Sequence, residues 1–106
     1  MSKKVRSLGL FGLGAFGRLI VKHLSPYFDV YACDPSPEAR GFARRHNVTL
    51  VDLPAAAACD IVVLATPIRT LQALAQTIAP YVKPHGLVID VGSVKIAVWR
   101  YVCYGI

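Results

Sequence analysis

Residues 8–24 read LGLFGLGAFGRLIVKHL and hold Gly12, Gly14 and Gly17 in the spacing G-x-G-x-x-G between two apolar runs. The run VRSLGLFG (5–12) is short, apolar and ends in glycine, which predicts a strand. Beyond the glycines, Phe16, Leu19, Ile20, His23 and Leu24 fall at i, i+3, i+4, i+7 and i+8. That period predicts a helix with these residues on its buried face, His23 being packed there rather than acting as a ligand. Ser25-Pro26 ends the helix, because proline disfavours helical backbone in the residue before it.

The same stretch imitates a secretory leader, since Lys3, Lys4 and Arg6 precede the apolar run. Arg18 and Lys22 interrupt that run early, and no A-x-A cleavage site precedes a polar mature sequence. No run reaches the ~18 uncharged apolar residues of a membrane span. The expectation is a cytoplasmic protein with no membrane segment.

Strand and helix periods then alternate along the chain. FDVYACD (28–34) predicts a second strand, rich in aromatic and β-branched residues. Ser36-Pro37-Glu38 starts a helix that runs to Arg45, with a serine cap, proline at the first position and an acid in the first turn. VTLV (48–51) is a brief third strand, and 52–58 a short helical turn. DIVVLAT (60–66) is a buried fourth strand. Thr66-Pro67 caps a helix whose apolar residues Ile68, Leu71, Leu74, Ala75, Ile78 and Val82 recur every three to four positions. GLVIDV (86–91) is a fifth strand, and residues 93–104 one more helix.

Strands that alternate with helices predict parallel β-α-β units with right-handed crossovers. The fold class is therefore α/β, a doubly wound, Rossmann-like parallel sheet of about five strands in the order 3-2-1-4-5. The sixth strand of the full fold is missing. Residues 1–95 form one dinucleotide-binding domain, and residues 96–106 an atypical apolar tail.

In a strand–turn–helix context the glycine spacing acquires a physical meaning. Gly12 permits the tight turn, Gly14 lets backbone approach a pyrophosphate, and Gly17 lets the helix pack against the strand. The helix start offers free N–H groups to an anion. Gly12, Leu13, Gly14, Ala15, Phe16 and Gly17 are the expected phosphate-binding segment. Asp34, followed by Pro35, ends the second strand 20 residues after Gly14. A carboxylate there accepts hydrogen bonds from ribose hydroxyls and repels a 2′-phosphate, which favours NAD over NADP. Ser36 and Arg40 lie close behind and soften that preference, so NADP stays possible.

The chain of 106 residues is 55% hydrophobic and 17% charged, which argues against disorder and suits a sheet covered on both faces. Its net charge of +6 is spread along the sequence without an aromatic-interleaved basic stripe, so no nucleic-acid partner is expected. The charge suits an anionic cofactor or substrate. Cys33, Cys59 and Cys103 form no C-x-x-C pair and read as reduced thiols; no metal site is expected.

GLFGLGAFG (9–17), YACDPS (31–36), VVLATPI (62–68) and above all VIDVGSVK (88–95) together resemble the prephenate/arogenate dehydrogenase family of tyrosine biosynthesis. The D-V-G-S-V-K run is the most specific of these, and the G-x-G-A-F-G form is similar to that of the arogenate branch. The resemblance implies an oxidoreductase that oxidises a cyclohexadienol ring hydroxyl with NAD(P)⁺ while CO₂ is lost. It implies that Ala65, Thr66 and Pro67 line the cofactor pocket, and that Ser93 stands beside the nicotinamide as a catalytic residue. Ser93 is also placed to cap a helix, and the two roles are compatible. Asp90 and Lys95 match the motif but read as structural.

The family's proton-accepting histidine lies in an H-P motif beyond the fifth strand, and His23, His46 and His85 match no such motif. The family's C-terminal helical domain, which holds substrate and dimerises, is lacking. The expectation is a truncated cofactor domain, inactive alone, that meets an anionic substrate (prephenate or arogenate) only if a substrate domain is supplied. Between Val94 and Ile106 only Lys95 and Arg100 are charged. A helix so apolar must be buried, which predicts self-association as a homodimer. Two other functions compete. A β-hydroxyacid dehydrogenase type of reductase shares the half-fold, and a substrate screen separates it. A non-enzymatic NAD-sensing module binds cofactor without turnover.

Overall fold

β1 (Arg6–Phe11) is the central strand of a five-stranded sheet and pairs in parallel with two neighbours. On one side lies β2 (Phe28–Cys33), in a register that sets Arg6 opposite Phe28 and Phe11 opposite Cys33. On the other side lies β4 (Ile61–Leu64), with Leu8 opposite Ile61. β3 (Thr49–Leu50) flanks β2, and β5 (Leu87–Asp90) flanks β4. The order is thus β3-β2-β1-β4-β5, as expected. The computed structural model describes residues 6–90; the expected helix at 93–104, the tail at 96–106 and Ser93 lie outside them.

The strands read as unbroken apolar runs because the sheet is covered on both faces. Leu8 and Leu10 of β1, Val30 and Ala32 of β2 and Val63 of β4 face α1 (Ala15–Leu24) and α2 (Pro37–Arg45), where Val21, Ala39, Phe42 and Ala43 meet them. Phe11, Val62, Leu64 and Val88 face the other way. There they pack on Ala56 and Ala57 of α3 (Leu53–Ala57) and on Leu71, Ala75 and Ile78 of α4 (Leu71–Ile78). Period-2 alternation along each strand thus feeds two cores from one sheet. Among the described residues no helix is long and apolar enough to cross a membrane.

At the amino-terminal edge of the sheet, Asp60 ties β1 to β4. Its Oδ2 accepts from the Ser7 N–H at 3.1 Å and from the Ser7 hydroxyl at 3.2 Å, while Ser7 Oγ accepts the Asp60 N–H at 2.9 Å. Lys83 Nζ donates to Asp60 Oδ1 at 2.9 Å. The Lys83 hydrogen bond, with those from Ser7, pulls the Asp60 carboxyl down to about 2.

Several local expectations change. The buried face of α1 is Gly17 and Val21, with Ile20 and Leu24 packed against the core, whereas Phe16, Leu19 and His23 are exposed. Gly17 is the reason: the helix presses its bare α-carbon onto the turn, and this rotates Phe16 and Leu19 outward. Ser36 stands at the start of α2 but makes no side-chain cap bond; its backbone N–H donates to Asp34 Oδ1 at 2.8 Å. The helix after β4 does not start at Thr66-Pro67. A 3₁₀ turn over Ile68–Thr70 intervenes, closed by the Thr70 N–H and hydroxyl on the Pro67 carbonyl at 2.9 and 2.7 Å.

Candidate functional site

β1 delivers the chain to the carboxyl-terminal edge, where its two neighbours hold the turn. The Gly12 N–H donates to the Cys33 carbonyl at 3.2 Å, and the Ala65 N–H to the Phe11 carbonyl at 2.9 Å. Gly12 has φ of +101°, a region costly for any residue with a Cβ, and a Cβ there would also lie 2.7 Å from the Ala65 carbonyl oxygen. A Cβ at Gly17 would collide with the Gly12 carbonyl oxygen. Gly14 differs from both: a Cβ there would meet nothing within 4 Å. Gly12 shapes the turn, Gly17 seats the helix, and Gly14 leaves open space.

Gly14 is the N-cap of α1 and brings no side-chain cap, and the first turn carries no acid. The first backbone bond of the helix runs from the Arg18 N–H to the Gly14 carbonyl at 2.9 Å. The earlier N–H groups therefore have no intrahelical acceptor and meet no capping side chain, and the positive end of the helix dipole lies among them.

Asp34 follows β2 and reaches back to this turn. Its Oδ2 accepts the Leu13 N–H at 2.6 Å and its Oδ1 the Ser36 N–H at 2.8 Å. Partial burial pushes the carboxyl up. The Ser36 and Leu13 N–H groups, the Ser36 hydroxyl and the Arg18 charge outweigh burial and hold it below the usual carboxylate range. An ionised carboxylate has acceptor sites beyond these two. Arg18 Nε donates to the Leu13 carbonyl at 3.0 Å, and its guanidinium lies 5.2 Å from the centre of the Phe42 ring. Phe42 in turn stacks on His46 with ring centres 4.0 Å apart.

Two clefts open here. One, of about 400 Å³, lies where β1 and β4 part and the helices leave to opposite faces of the sheet. Gly12 and Gly14, Cys33 to Pro35, and Ala65 to Pro67 line it, with Phe11, Leu53 and Leu74 as its apolar wall. Parallel doubly wound sheets bind ligands at this switch point. The second, of about 580 Å³, lies on the far side of Asp34, between Ser36, Arg40 and the segment Leu50 to Asp52. The Thr66 hydroxyl oxygen is buried without a hydrogen-bond partner. Burial and the charges of Asp34 and Asp52 push the Cys33 thiol up, so it stays protonated at neutral pH.

The sequence-predicted residues thus converge in part. Gly12, Gly14, Asp34, Pro35, Ala65, Thr66 and Pro67 line the first cleft. The Leu13 side chain is buried in the core and Phe16 points to solvent, so these two and Ala15 contribute backbone only. No histidine among the described residues lines either cleft. Among the described residues no group of three His, Cys, Asp or Glu side chains is placed to hold a metal ion. Sequence reasoning missed Arg18 as a partner of the turn. Its signal was a basic residue one position after the third glycine, where the first free helical turn ends.

The sheet order, the glycine turn at its switch point and the acid beyond β2 define a Rossmann-type nucleotide-binding domain. A family model described as "Prephenate dehydrogenase, nucleotide-binding domain" matches residues 18–104, and the chain belongs to that family. A comparison with curated protein sequences finds no match. Among solved structures, arogenate dehydrogenase from Synechocystis is 24% identical, with a TM-score of 0.79 over 92% of this chain and 37% of that one. Prephenate dehydrogenase from A. aeolicus, solved with hydroxyphenyl propionate and NAD⁺, is 21% identical, with a TM-score of 0.78 over 97% and 40%. D-lactate dehydrogenase from Escherichia coli is 23% identical, with a TM-score of 0.70 over 81% and 28%. The chain therefore spans well under half the length of these proteins.

Proposed function

We propose that the chain binds NAD(H) as the cofactor domain of a prephenate- or arogenate-oxidising dehydrogenase of tyrosine biosynthesis. One observation carries the reading. The open space over Gly14 and the uncapped N–H groups of α1 lie at the sheet's switch point, beside Asp34. The residues fit the cofactor on three counts: room at Gly14 for a pyrophosphate, an ionised carboxylate for ribose hydroxyls, and an orphaned Thr66 hydroxyl facing no protein partner. When bound, the nicotinamide ring would accept hydride from the substrate carbon.

The residues of this chain hold the cofactor in that reading: the α1 start on the pyrophosphate, Asp34 on the adenosine ribose, and Ala65 to Pro67 along the inner wall. Ser93 keeps its proposed place beside the nicotinamide. In this reading the two clefts serve the cofactor, and activity also needs a base and a substrate site. A cytoplasmic homodimer completes the reading, with the half-exposed Leu87 and Ile89 on the outer strand suited to an interface. Sedimentation equilibrium tests the dimer; a clean monomer at ~100 µM removes it.

Asp34 favours NAD, while Arg40 on the adjoining cleft wall leaves room for a 2′-phosphate. Titration calorimetry with NADH and NADPH is the test. Binding of NADH at least as tight as that of NADPH is expected. No heat with either cofactor overturns the proposed function, and a preference for NADPH above tenfold, about 1.4 kcal/mol, overturns the role given to Asp34.

A further inference from the structure

The geometry points to Arg18 as a positioning residue that aims the Gly14 N–H of the phosphate-binding turn. This inference rests on the cofactor reading above. Leu13 is flanked by two peptide planes, and a different side chain holds each. Asp34 Oδ2 takes the N–H of the Gly12–Leu13 peptide at 2.6 Å. Arg18 Nε grips the carbonyl of the Leu13–Gly14 peptide at 3.0 Å. A trans peptide is planar, with its C=O and N–H pointing to opposite sides. Fixing the Leu13 carbonyl therefore fixes the direction of the Gly14 N–H, away from Arg18, at a residue that lines the first cleft.

Arg18 is itself held. Its own backbone N–H closes the first helical turn onto the Gly14 carbonyl at 2.9 Å. Its guanidinium rests on Phe42, which is 3% exposed and stacked on His46. The residue thus bonds the chain on both sides of Gly14, once through backbone and once through side chain. A planar guanidinium has an Nε–H of fixed direction, while a lysine ammonium is a mobile point charge on a flexible stem. The position is therefore selective for arginine, and charge alone does not satisfy it.

The experiment compares the full chain with Arg18→Lys and Arg18→Met, with thermal melts as a control on folding. NADH binding is read by calorimetry, and adenosine binding by NMR titration. Wild type binds NADH, and both variants bind it about tenfold more weakly, the loss expected when one N–H to a phosphate is misaimed. Adenosine, which has no pyrophosphate, binds all three alike. If wild type fails to bind NADH, the cofactor reading itself fails. If wild type binds and Arg18→Met binds equally well, the aiming role is wrong. If Arg18→Lys restores wild-type affinity, charge rather than direction is at work, and the inference is overturned. If adenosine weakens in parallel with NADH, Arg18 supports the fold as a whole and not the turn.

Discussion

The α-carbon of Gly17 lies against the carbonyl oxygen of Gly12, so closely that a single methyl group would collide with it. Gly14, between them, faces open space. Alanine at the two positions therefore has opposite consequences. Gly17→Ala displaces α1 from the turn and destabilises the fold by about 1–3 kcal/mol, as overpacking does. Gly14→Ala costs under about 1 kcal/mol, the difference between glycine and alanine at a helix start, but it fills the space over the turn. Urea denaturation and NADH titration on both variants check this. Gly14→Ala should fold nearly as wild type and lose binding at least tenfold, about 1.4 kcal/mol.

Asp34, the residue proposed to meet the ribose, also holds the turn. An asparagine in its place would present one acceptor oxygen where the carboxylate presents two, leaving either the Leu13 or the Ser36 N–H unmet. Asp34→Asn should cost roughly 1–2 kcal/mol of stability at pH 7. The folded-state pKa lies below the unfolded one, so this stabilisation is present above the ordinary carboxyl value of 3.8 and is lost as pH falls through the lower folded value. Below that window wild type and variant should converge, and denaturation curves at neutral and acid pH show whether they do.

Asp60 gives a second acid-sensitive contact, at the edge of the sheet opposite the glycine turn. Its carboxyl is held at about 2 by Lys83 and Ser7. A depressed folded value means that its contribution is complete above the unfolded value of 3.8 and fades as pH drops toward 2. Asp60→Asn should lower the melting temperature at pH 7, converge on wild type only as pH falls below about 2, and leave NADH affinity unchanged. A change in affinity would mean that the two edges of the sheet are coupled.

The exposed positions of α1 separate packing from pattern. Phe16 and Leu19 are 50% and 46% exposed, whereas Leu10 is fully buried. Leu10→Ala should cost about 2–5 kcal/mol by leaving a cavity. Phe16→Ala and Leu19→Ala should each change stability by about 0.5 kcal/mol or less, as surface substitutions do. Equilibrium unfolding in urea ranks the three. A large loss at Phe16 would place that ring inside the core.

The strand order was legible because every strand but the third is an apolar run closed by a glycine, an acid or Thr-Pro. The glycine turn was legible from spacing and context. What stayed hidden depended on contacts that no periodicity encodes. A glycine counts as nothing in an apolar pattern, yet Gly17 is the residue that decides which face of α1 is inward. β3 is two residues long rather than four: Val48 is taken by the end of α2, and Val51, whose N–H donates to the Ala32 carbonyl at 2.9 Å, falls just past the strand. Asn47 turns the chain with φ of +60°, and the Val48 N–H returns to the Ala43 carbonyl at 3.0 Å. The bond from Arg18 to Leu13 was invisible because a basic residue on a helix reads as solvated until its neighbours are placed.

The central position of β1 has a consequence for synthesis on the ribosome. β1 is made before both of its neighbours, but β2 follows it closely while β4 lies 53 positions further on, as the pairing of Leu8 with Ile61 shows. The half of the cleft formed by the glycines and Asp34 has all its residues once β2 has been made. The wall formed by Ala65 to Pro67 comes only after α2, β3 and α3. During that interval one edge of β1 has no strand beside it, and its Leu8 and Leu10 wait for Val63 to complete their core. A nascent chain in this state exposes an unpaired strand edge, the kind of surface on which chaperones act. The arrangement that puts the switch point in the middle of the sheet thus also delays the cleft, whose two walls are made far apart in time.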